Sequence, residues 1–152
     1  MTRLLVVEDQ PNDLHIAAET ARSAGITEVE ARTSSQAAIS YLEKGLRQET
    51  PLPDGIVLDL DLGYESGYEL LRFWHSTPEL RKIPMVVWTL LGEEQREICN
   101  LFRVDHYVSK WEGVPAFRNV LVKLSGCESP APGLMSFGMG LTRSTQPPSR
   151  RS

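Results

Sequence analysis

One aspartate, Asp59, directly follows a run of apolar residues and precedes a short loop bounded by glycines. The run over residues 55–58 has the near-continuous apolar pattern of a strand that is covered on both faces of a parallel sheet. Open α/β sheets bind their ligands beyond the carboxyl ends of such strands, which is where Asp59 stands. A carboxylate at that position has three interpretations: a nucleophile, a metal ligand, or a cap for the following loop.

Polar side chains also stand at the ends of three other apolar runs. The acidic pair Glu8 and Asp9 follows the first run, Thr89 ends the fourth, and Lys110 follows the fifth. Taken singly, each has a simple structural interpretation, because acidic residues and threonine cap helices and a lysine is usually a solvated charge. Four such groups at the ends of four strands are better explained by one shared site.

A shared site requires that the strands carrying these groups be neighbours. In a sheet of order 2-1-3-4-5, the first and third strands are adjacent where the winding reverses, so Glu8, Asp9 and Asp59 converge there. Two carboxylates about 4 Å apart repel by roughly 4 kcal/mol at an effective dielectric constant near 20, so three require a cation. Mg²⁺ is suitable because it combines a few carboxylates with water and phosphate oxygens. The set predicts phosphoryl transfer, with Asp59 attacking phosphorus, Lys110 offsetting charge and Thr89 donating a hydrogen bond.

The elements that position these residues follow from the hydrophobic pattern. Five apolar runs alternate with five stretches of helical periodicity in about the first 124 residues. Pro11 and Asp13 suit the start of the first helix, and glycines or a Thr-Pro pair end the first three helices. This alternation predicts an α/β fold: a doubly wound, five-stranded parallel sheet of order 2-1-3-4-5 with five helices, as in flavodoxin.

Composition limits the class of protein and its partners. The chain of 152 residues is 41% hydrophobic and 24% charged, which is typical of a globular protein with one domain. Its net charge of −4 argues against a nucleic-acid partner, which would require a clustered basic face. Cys99 and Cys127 have neither disulfide-framework nor metal-site spacing. No signal peptide or membrane span is expected, so we predict a cytoplasmic protein that does not bind membranes.

The composition changes after residue 124. Half of the residues in 125–152 are Gly, Pro or Ser, and no periodicity remains. We therefore predict a folded domain over residues 1–124 and a disordered tail over residues 125–152. The tail is too short and irregular for a DNA-binding helix-turn-helix, which favours output through protein contact.

The sequence resembles the response-regulator receiver domain of two-component signalling, over about residues 3–124. The resemblance rests on Val6-Val7-Glu8-Asp9, on Leu58-Asp59-Leu60-Asp61-Leu62 followed by Gly67, on Val87-Trp88-Thr89 and on Tyr107-Val108-Ser109-Lys110. It implies a stand-alone, single-domain regulator with the flavodoxin-like receiver fold. Such a protein is a self-phosphorylating acceptor rather than an enzyme that turns over substrate.

The resemblance also implies roles for individual residues. Asp59 would be the phosphoacceptor and, with Asp9, a direct ligand of Mg²⁺. The backbone carbonyl of Asp61 would complete the metal site, and Glu8 would act through water.

At the other strand ends, the resemblance assigns contacts with the phosphoryl group to Thr89 and Lys110. Thr89 and Tyr107 would form a switch pair, in which Tyr107 turns inward when Thr89 is drawn to the phosphoryl group. A sensor histidine kinase or a phosphotransfer protein would supply that group, and a downstream protein would receive the signal. The oligomeric state, including a homodimer, is left open.

Three positions depart from the pattern of the family. Gly63 stands where the family usually has proline, so the loop after the acceptor is expected to be less rigid. Leu90 replaces a small residue and controls access: it should crowd the in-line approach, so that small phosphodonors and water react slowly. Trp111 follows Lys110 where the family has proline, so the bond between them is expected to be trans.

Two alternatives remain open. One is a receiver-like scaffold that is never phosphorylated, which the departures at Leu90 and Trp111 favour. The other is a phosphatase of the haloacid-dehalogenase type, because residues 58–61 also fit the Asp-x-Asp motif of that family. The position of the motif on the third strand rather than the first disfavours the phosphatase.

Overall fold

The computed structural model describes residues 1–126, so the predicted tail lies outside the described residues apart from Ser125 and Gly126. Strands and helices alternate along the described chain, as the hydrophobic pattern predicts. In chain order the elements are β1 Arg3–Val7, α1 Pro11–Ser23, β2 Glu28–Arg32, α2 Ser35–Leu46, β3 Gly55–Leu58, β4 Asp61–Leu62, β5 Glu65–Ser66, α3 Tyr68–Ser76, α4 Pro78–Arg81, β6 Met85–Thr89, α5 Glu93–Leu101, β7 His106–Ser109, a 3₁₀ turn Lys110–Glu112 and α6 Val114–Ser125.

Five of the strands form one parallel sheet in the order β2-β1-β3-β6-β7. When the two strands of the separate β4-β5 hairpin are left out of the numbering, β6 and β7 become the fourth and fifth strands. The order is then the predicted 2-1-3-4-5, and the doubly wound α/β fold is confirmed. Alternate residues of each central strand enter different core layers, because successive side chains point to opposite faces. Leu5 and Val7 pack in the layer of α2 and α3, whereas Leu4 and Val6 pack with Ala17 of α1 and residues of α6.

The predicted number of five helices is wrong by one short element, because residues 1–126 contain six α-helices. The additional helix is the single turn α4, which begins at Pro78 after an extended Thr77. Proline suits the first turn of a helix, and the fully buried Leu80 holds this turn against the core. The indole N–H of Trp74 donates to the carbonyl of Ile83 at 3.0 Å, which fixes the chain where it enters β6.

No helix in the described part of the chain is long and apolar enough to cross a membrane.

Candidate functional site

The centre of the site is the side chain of Lys110, which is only 7% exposed. Its ammonium donates to Glu8 Oε1 at 2.7 Å, to Asp13 Oδ2 at 2.7 Å and to Asp59 Oδ2 at 2.9 Å. It also lies 4.8 Å from the centre of the Trp88 ring. One cation therefore binds three carboxylates beside an aromatic face, which places compensating charge where burial would otherwise be costly.

The topology explains why these groups meet. Glu8 follows β1 and Asp59 follows β3, and the two strands are paired in the sheet. Lys110 follows β7 and is the first residue of the 3₁₀ turn, which Ser109 caps. The Ser109 hydroxyl accepts from Trp111 N at 3.1 Å, and the Ser109 N–H donates to Glu112 at 3.0 Å. No peptide bond in residues 1–126 is cis, so the bond after Lys110 is trans as predicted.

Asp13 belongs to this cluster, although sequence reasoning placed it only at the favourable end of a helix dipole. It stands in the first turn of α1, whose N-terminus starts just after the end of β1. Helices that follow strands in doubly wound folds begin at the carboxyl edge of the sheet, where the site lies. An acidic residue in such a first turn was the signal that could have identified Asp13.

Burial and hydrogen bonds change the pKa values of two groups in the cluster. Burial raises the pKa of Glu8 to about 7; the nearby charge of Asp59 acts in the same direction, and the hydrogen bond from Lys110 opposes both. Burial alone would lower the pKa of Lys110, but hydrogen bonds to its three carboxylate partners outweigh it and raise that pKa above its ordinary value. Lys110 is therefore a permanent cation in the site.

A crevice of about 270 Å³ opens beside the ammonium. Its lining includes the predicted residues Asp9, Asp59, Asp61, Leu90 and Lys110. Glu8 and Thr89 do not line it: both are buried side chains behind its wall. The structure thus brings the predicted acidic residues to one edge of the sheet but exposes only some of them to a ligand.

The oxygen atoms around this crevice suit a hard divalent cation. Among residues 1–126, no three acidic, histidine or cysteine side chains lie close enough to hold one metal ion. Lys110 Nζ instead bridges Glu8 and Asp59. Asp9 makes no hydrogen bond or ion pair to any described residue, and Asp59 Oδ1 accepts only the N–H of Asp61, at 3.0 Å. Two carboxylates, a backbone carbonyl and water meet the preference of Mg²⁺ for few protein ligands and several waters.

The segment after Asp59 forms a hairpin, an element that the sequence did not indicate. Residues 61–66 form the antiparallel hairpin of β4 and β5, with Gly63 at φ +74° in its turn. Proline could not adopt that angle. The hairpin is tied to α2, because Ser35 N donates to Glu65 Oε1 at 2.9 Å and the Ser35 hydroxyl donates to Ser66 O at 3.0 Å.

The predicted switch residues contact the same short segment, residues 90–92. The hydroxyl of Thr89, fully buried, accepts from Leu91 N at 3.3 Å. The hydroxyl of Tyr107 donates to the carbonyls of Leu91 and Gly92, each at 3.1 Å. Burial raises the pKa of Tyr107, which keeps its hydroxyl a donor. Both residues therefore hold the β6–α5 loop that carries Leu90.

Comparison with known proteins decides the family. No model of a protein family matches this chain. Response regulator Rcp1 of Synechocystis sp. is 31% identical over 110 residues, which cover 70% of this chain and 75% of Rcp1. The chain belongs to the response-regulator receiver family.

Solved receiver structures agree with this assignment. The phosphorylated cyanobacterial phytochrome response regulator RcpA superposes with a TM-score of 0.70 at 25% identity, covering 86% of this chain and 99% of RcpA. The Mn²⁺-bound form of Rcp1 gives a TM-score of 0.69 at 25% identity, covering 84% of this chain and 94% of that structure. The receiver fold predicted from the four motifs is therefore confirmed.

Proposed function

We propose that this receiver domain accepts a phosphoryl group on Asp59 from a sensor histidine kinase or a phosphotransfer protein. The observation that supports this proposal best is the triple contact of Lys110, which holds Asp59 beside an open crevice. The phosphorylated state of the related RcpA adds support. The signal then passes to a downstream protein by contact.

The carboxylate of Asp59 presents two different oxygens. Oδ2 accepts from Lys110 and Oδ1 accepts from Asp61 N. A carboxylate oxygen of Asp59 forms the new bond to phosphorus while the bond from phosphorus to the donor nitrogen or oxygen breaks and the donor leaves. Lys110 neutralises the charge that gathers on the phosphoryl oxygens, and Thr89 donates a hydrogen bond to them after its hydroxyl moves toward the crevice.

Mg²⁺ is the cofactor of this proposal. Asp9, Asp59 and the carbonyl of Asp61 would hold it, with Glu8 acting through water. When bound, it supplies charge that draws phosphoryl oxygens into the crevice. The Mn²⁺-bound form of Rcp1 supports a divalent ion at a site of this kind.

The response to phosphorylation is assigned to Thr89 and Tyr107. Movement of Thr89 toward a phosphoryl group pulls on residues 90–92, which removes the carbonyl partners of the Tyr107 hydroxyl. Tyr107 then turns inward and changes the surface of β7 and α5 that a downstream protein meets.

Acetyl phosphate with Mg²⁺, followed by intact mass measurement, tests the phosphoacceptor. The wild-type protein should gain one phosphoryl group, and the Asp59→Asn variant should gain none. Asp54 is exposed and lies outside the crevice. The Asp54→Asn variant is therefore the matched control and should be labelled like the wild type. Labelling without Mg²⁺, or labelling of the Asp59→Asn variant, would overturn the assignment. A wild-type protein that neither acetyl phosphate nor a kinase labels would favour the unphosphorylated scaffold.

A further inference from the structure

A second cavity, of about 440 Å³, lies between the edge strand β2 and helix α2. It shares no lining residue with the crevice at Asp59. Helix α2 contributes Ala37, Ser40, Tyr41 and Lys44, which share one helix face because they are spaced at i, i+3, i+4 and i+7. One face of α2 therefore forms a wall of the cavity, whose volume lies within the size range of small-molecule sites, about 300–1,000 Å³.

The strand wall of this cavity is charged where a core wall would be apolar. In the sheet, Glu30 is paired with Leu5 and Arg32 with Val7, so these charged side chains share the face that packs on α2. Inward charges on an edge strand also prevent pairing with other chains. Preventing such pairing, however, requires neither a cavity behind the strand nor the basic residues Arg3 of β1 and Lys44 of α2.

The cavity has an excess of cationic donors. Arg3, Arg32 and Lys44 line it together with one carboxylate, that of Glu30. Arg3 is already ion-paired with Glu28, so the proposed site depends on Arg32 and Lys44. In the described part of the chain Arg32 bonds through Nη1 alone, to Ala31 O at 2.8 Å and Glu30 at 3.3 Å, so its other nitrogens have no partner there. The side chain of Lys44 makes no ion pair or hydrogen bond within residues 1–126, although its backbone carbonyl accepts from Glu49 N at 2.9 Å.

Hydroxyl and aromatic groups complete the lining. The hydroxyl oxygen of Thr50 is buried and has no hydrogen-bond partner among residues 1–126, which is rare unless a ligand or water satisfies it. The Arg32 guanidinium lies over the Tyr41 ring, 4.7 Å from its centre, so an aromatic face stands beside this cationic group. A guanidinium fork, an ammonium and free hydroxyls are the groups that bind phosphate oxygens.

We infer that this cavity binds a small phosphorylated metabolite, with its phosphate group between Arg32 and Lys44. The concave shape suits a compact molecule, and the net charge of −4 argues against an extended nucleic-acid surface. The phosphate would restore the hydrogen bond that Thr50 lacks. This inference does not depend on phosphorylation of Asp59.

Ribose 5-phosphate is the probe, with ribose as the uncharged comparison, and both are titrated without Mg²⁺ into ¹⁵N-labelled full-length protein. Ribose 5-phosphate should shift the amide signals of Ala37, Ser40 and Tyr41, and ribose should not. Lys44→Gln and Arg32→Gln should each weaken binding about tenfold, the loss expected for one charge-assisted hydrogen bond. Lys123→Gln, an exposed lysine on α6, is the charge-matched control.

Three results would overturn the inference: no shifts at about 10 mM ribose 5-phosphate, equal affinity of the Lys44→Gln variant and the wild type, or shifts confined to residues of the Asp59 crevice. Lys44 is exposed, so its variant should fold even if the Arg32 variant does not. Asp59→Asn should bind ribose 5-phosphate like the wild type. Failure of phosphorylation at Asp59 and failure of this second site are therefore distinguishable.

Discussion

Arg96 lies over the ring of Tyr107, with its guanidinium carbon 4.6 Å from the ring centre. The same side chain donates from Nη1 to Tyr107 O at 3.4 Å and forms an ion pair with Glu93 at 2.8 Å. The hydroxyl of Tyr107 is held separately by residues 91–92. The tyrosine is thus fixed at its ring and at its hydroxyl, and any inward turn has to break both sets of contacts.

Replacing this arginine should release the ring. Arg96→Gln is expected to lower the free energy of unfolding by about 0.5–1 kcal/mol more than Arg22→Gln, measured by urea denaturation. Arg22 is the matched control because it also pairs with a glutamate three residues earlier, Glu19, but covers no aromatic ring. Equal losses in the two variants would show that the contacts of Arg96 with Tyr107 and Glu112, its ring contact included, contribute nothing.

Substitution of Gly63 should affect both stability and metal binding, because an added side chain would meet Asp9, a predicted metal ligand. A Cβ there would lie 2.9 Å from Asp9 Oδ2, and the residue has φ +74°. Gly63→Ala should lose about 1–2 kcal/mol of stability from the left-handed conformation. It should also weaken Mg²⁺ binding, measured by calorimetry, because the methyl group displaces the Asp9 carboxylate.

Gly126 provides the control, since it has the same φ of +74° with nothing within 4 Å of an added Cβ. Gly126→Ala should therefore show the backbone cost without any change in Mg²⁺ affinity. Unchanged Mg²⁺ affinity in the Gly63→Ala variant would remove Asp9 from the metal site.

Access past Leu90 should limit the rates of phosphorylation and hydrolysis. Leu90 is 51% exposed and lines the crevice without bonding to the acidic residues. Leu90→Ala should speed both labelling by acetyl phosphate and loss of the label, by up to about a hundredfold if approach is misaligned by 1 Å. Leu101→Ala, another exposed leucine, should change neither rate. An unchanged half-life in the Leu90→Ala variant would refute this role.

Asp54 should make stability depend on pH. Its carboxylate accepts hydrogen bonds from the backbone N–H of Arg3 at 2.9 Å and of Thr2 at 2.8 Å. Both bonds lower the pKa of Asp54, and the one from Arg3 has the larger effect. Because this folded-state pKa lies below the ordinary value of 3.8, the stabilisation is present above about pH 4 and is lost as the pH falls through the lowered pKa.

The wild type should therefore exceed Asp54→Asn in free energy of unfolding by roughly 0.5–1 kcal/mol near neutral pH, and this difference should shrink toward about pH 3. Glu79→Gln removes an exposed acid that makes no hydrogen bond within residues 1–126, so it serves as the control. A difference between wild type and Asp54→Asn that is constant with pH would contradict the argument.

The sheet and the positions of its strand ends could be predicted because they depend on periodic patterns. Alternating strands and helices restrict the topology to few arrangements, and strand ends then place Glu8, Asp59 and Lys110 at one edge. The individual contacts could not be predicted, because they depend on side-chain reach. Lys110 binds Asp13 across 97 residues of sequence, and no local pattern indicates that pairing.

The hairpin after Asp59 was missed for a different reason. Its strands have two residues each, which is too short to show an alternating pattern. The glycine in its turn indicates a loop and does not distinguish a hairpin from an irregular segment. What orders it is the bond from Ser35 N to Glu65, a tertiary contact with α2. The short helix α4 likewise depends on burial of Leu80 rather than on a signal in four residues of sequence.

The position of Lys110 over Trp88 gives the protein an internal optical reporter. Indole fluorescence responds to a nearby charge, and the ammonium lies 4.8 Å from the centre of a ring that is also stacked on Phe117, with ring centres 4.2 Å apart. Trp74 is buried in the other core layer, whereas Trp111 is 81% exposed and emits from solvent. Any event that moves the Lys110 ammonium should change the emission of Trp88, so binding at the crevice can be followed in the unlabelled protein, and replacing Trp111 with phenylalanine would isolate the buried signal.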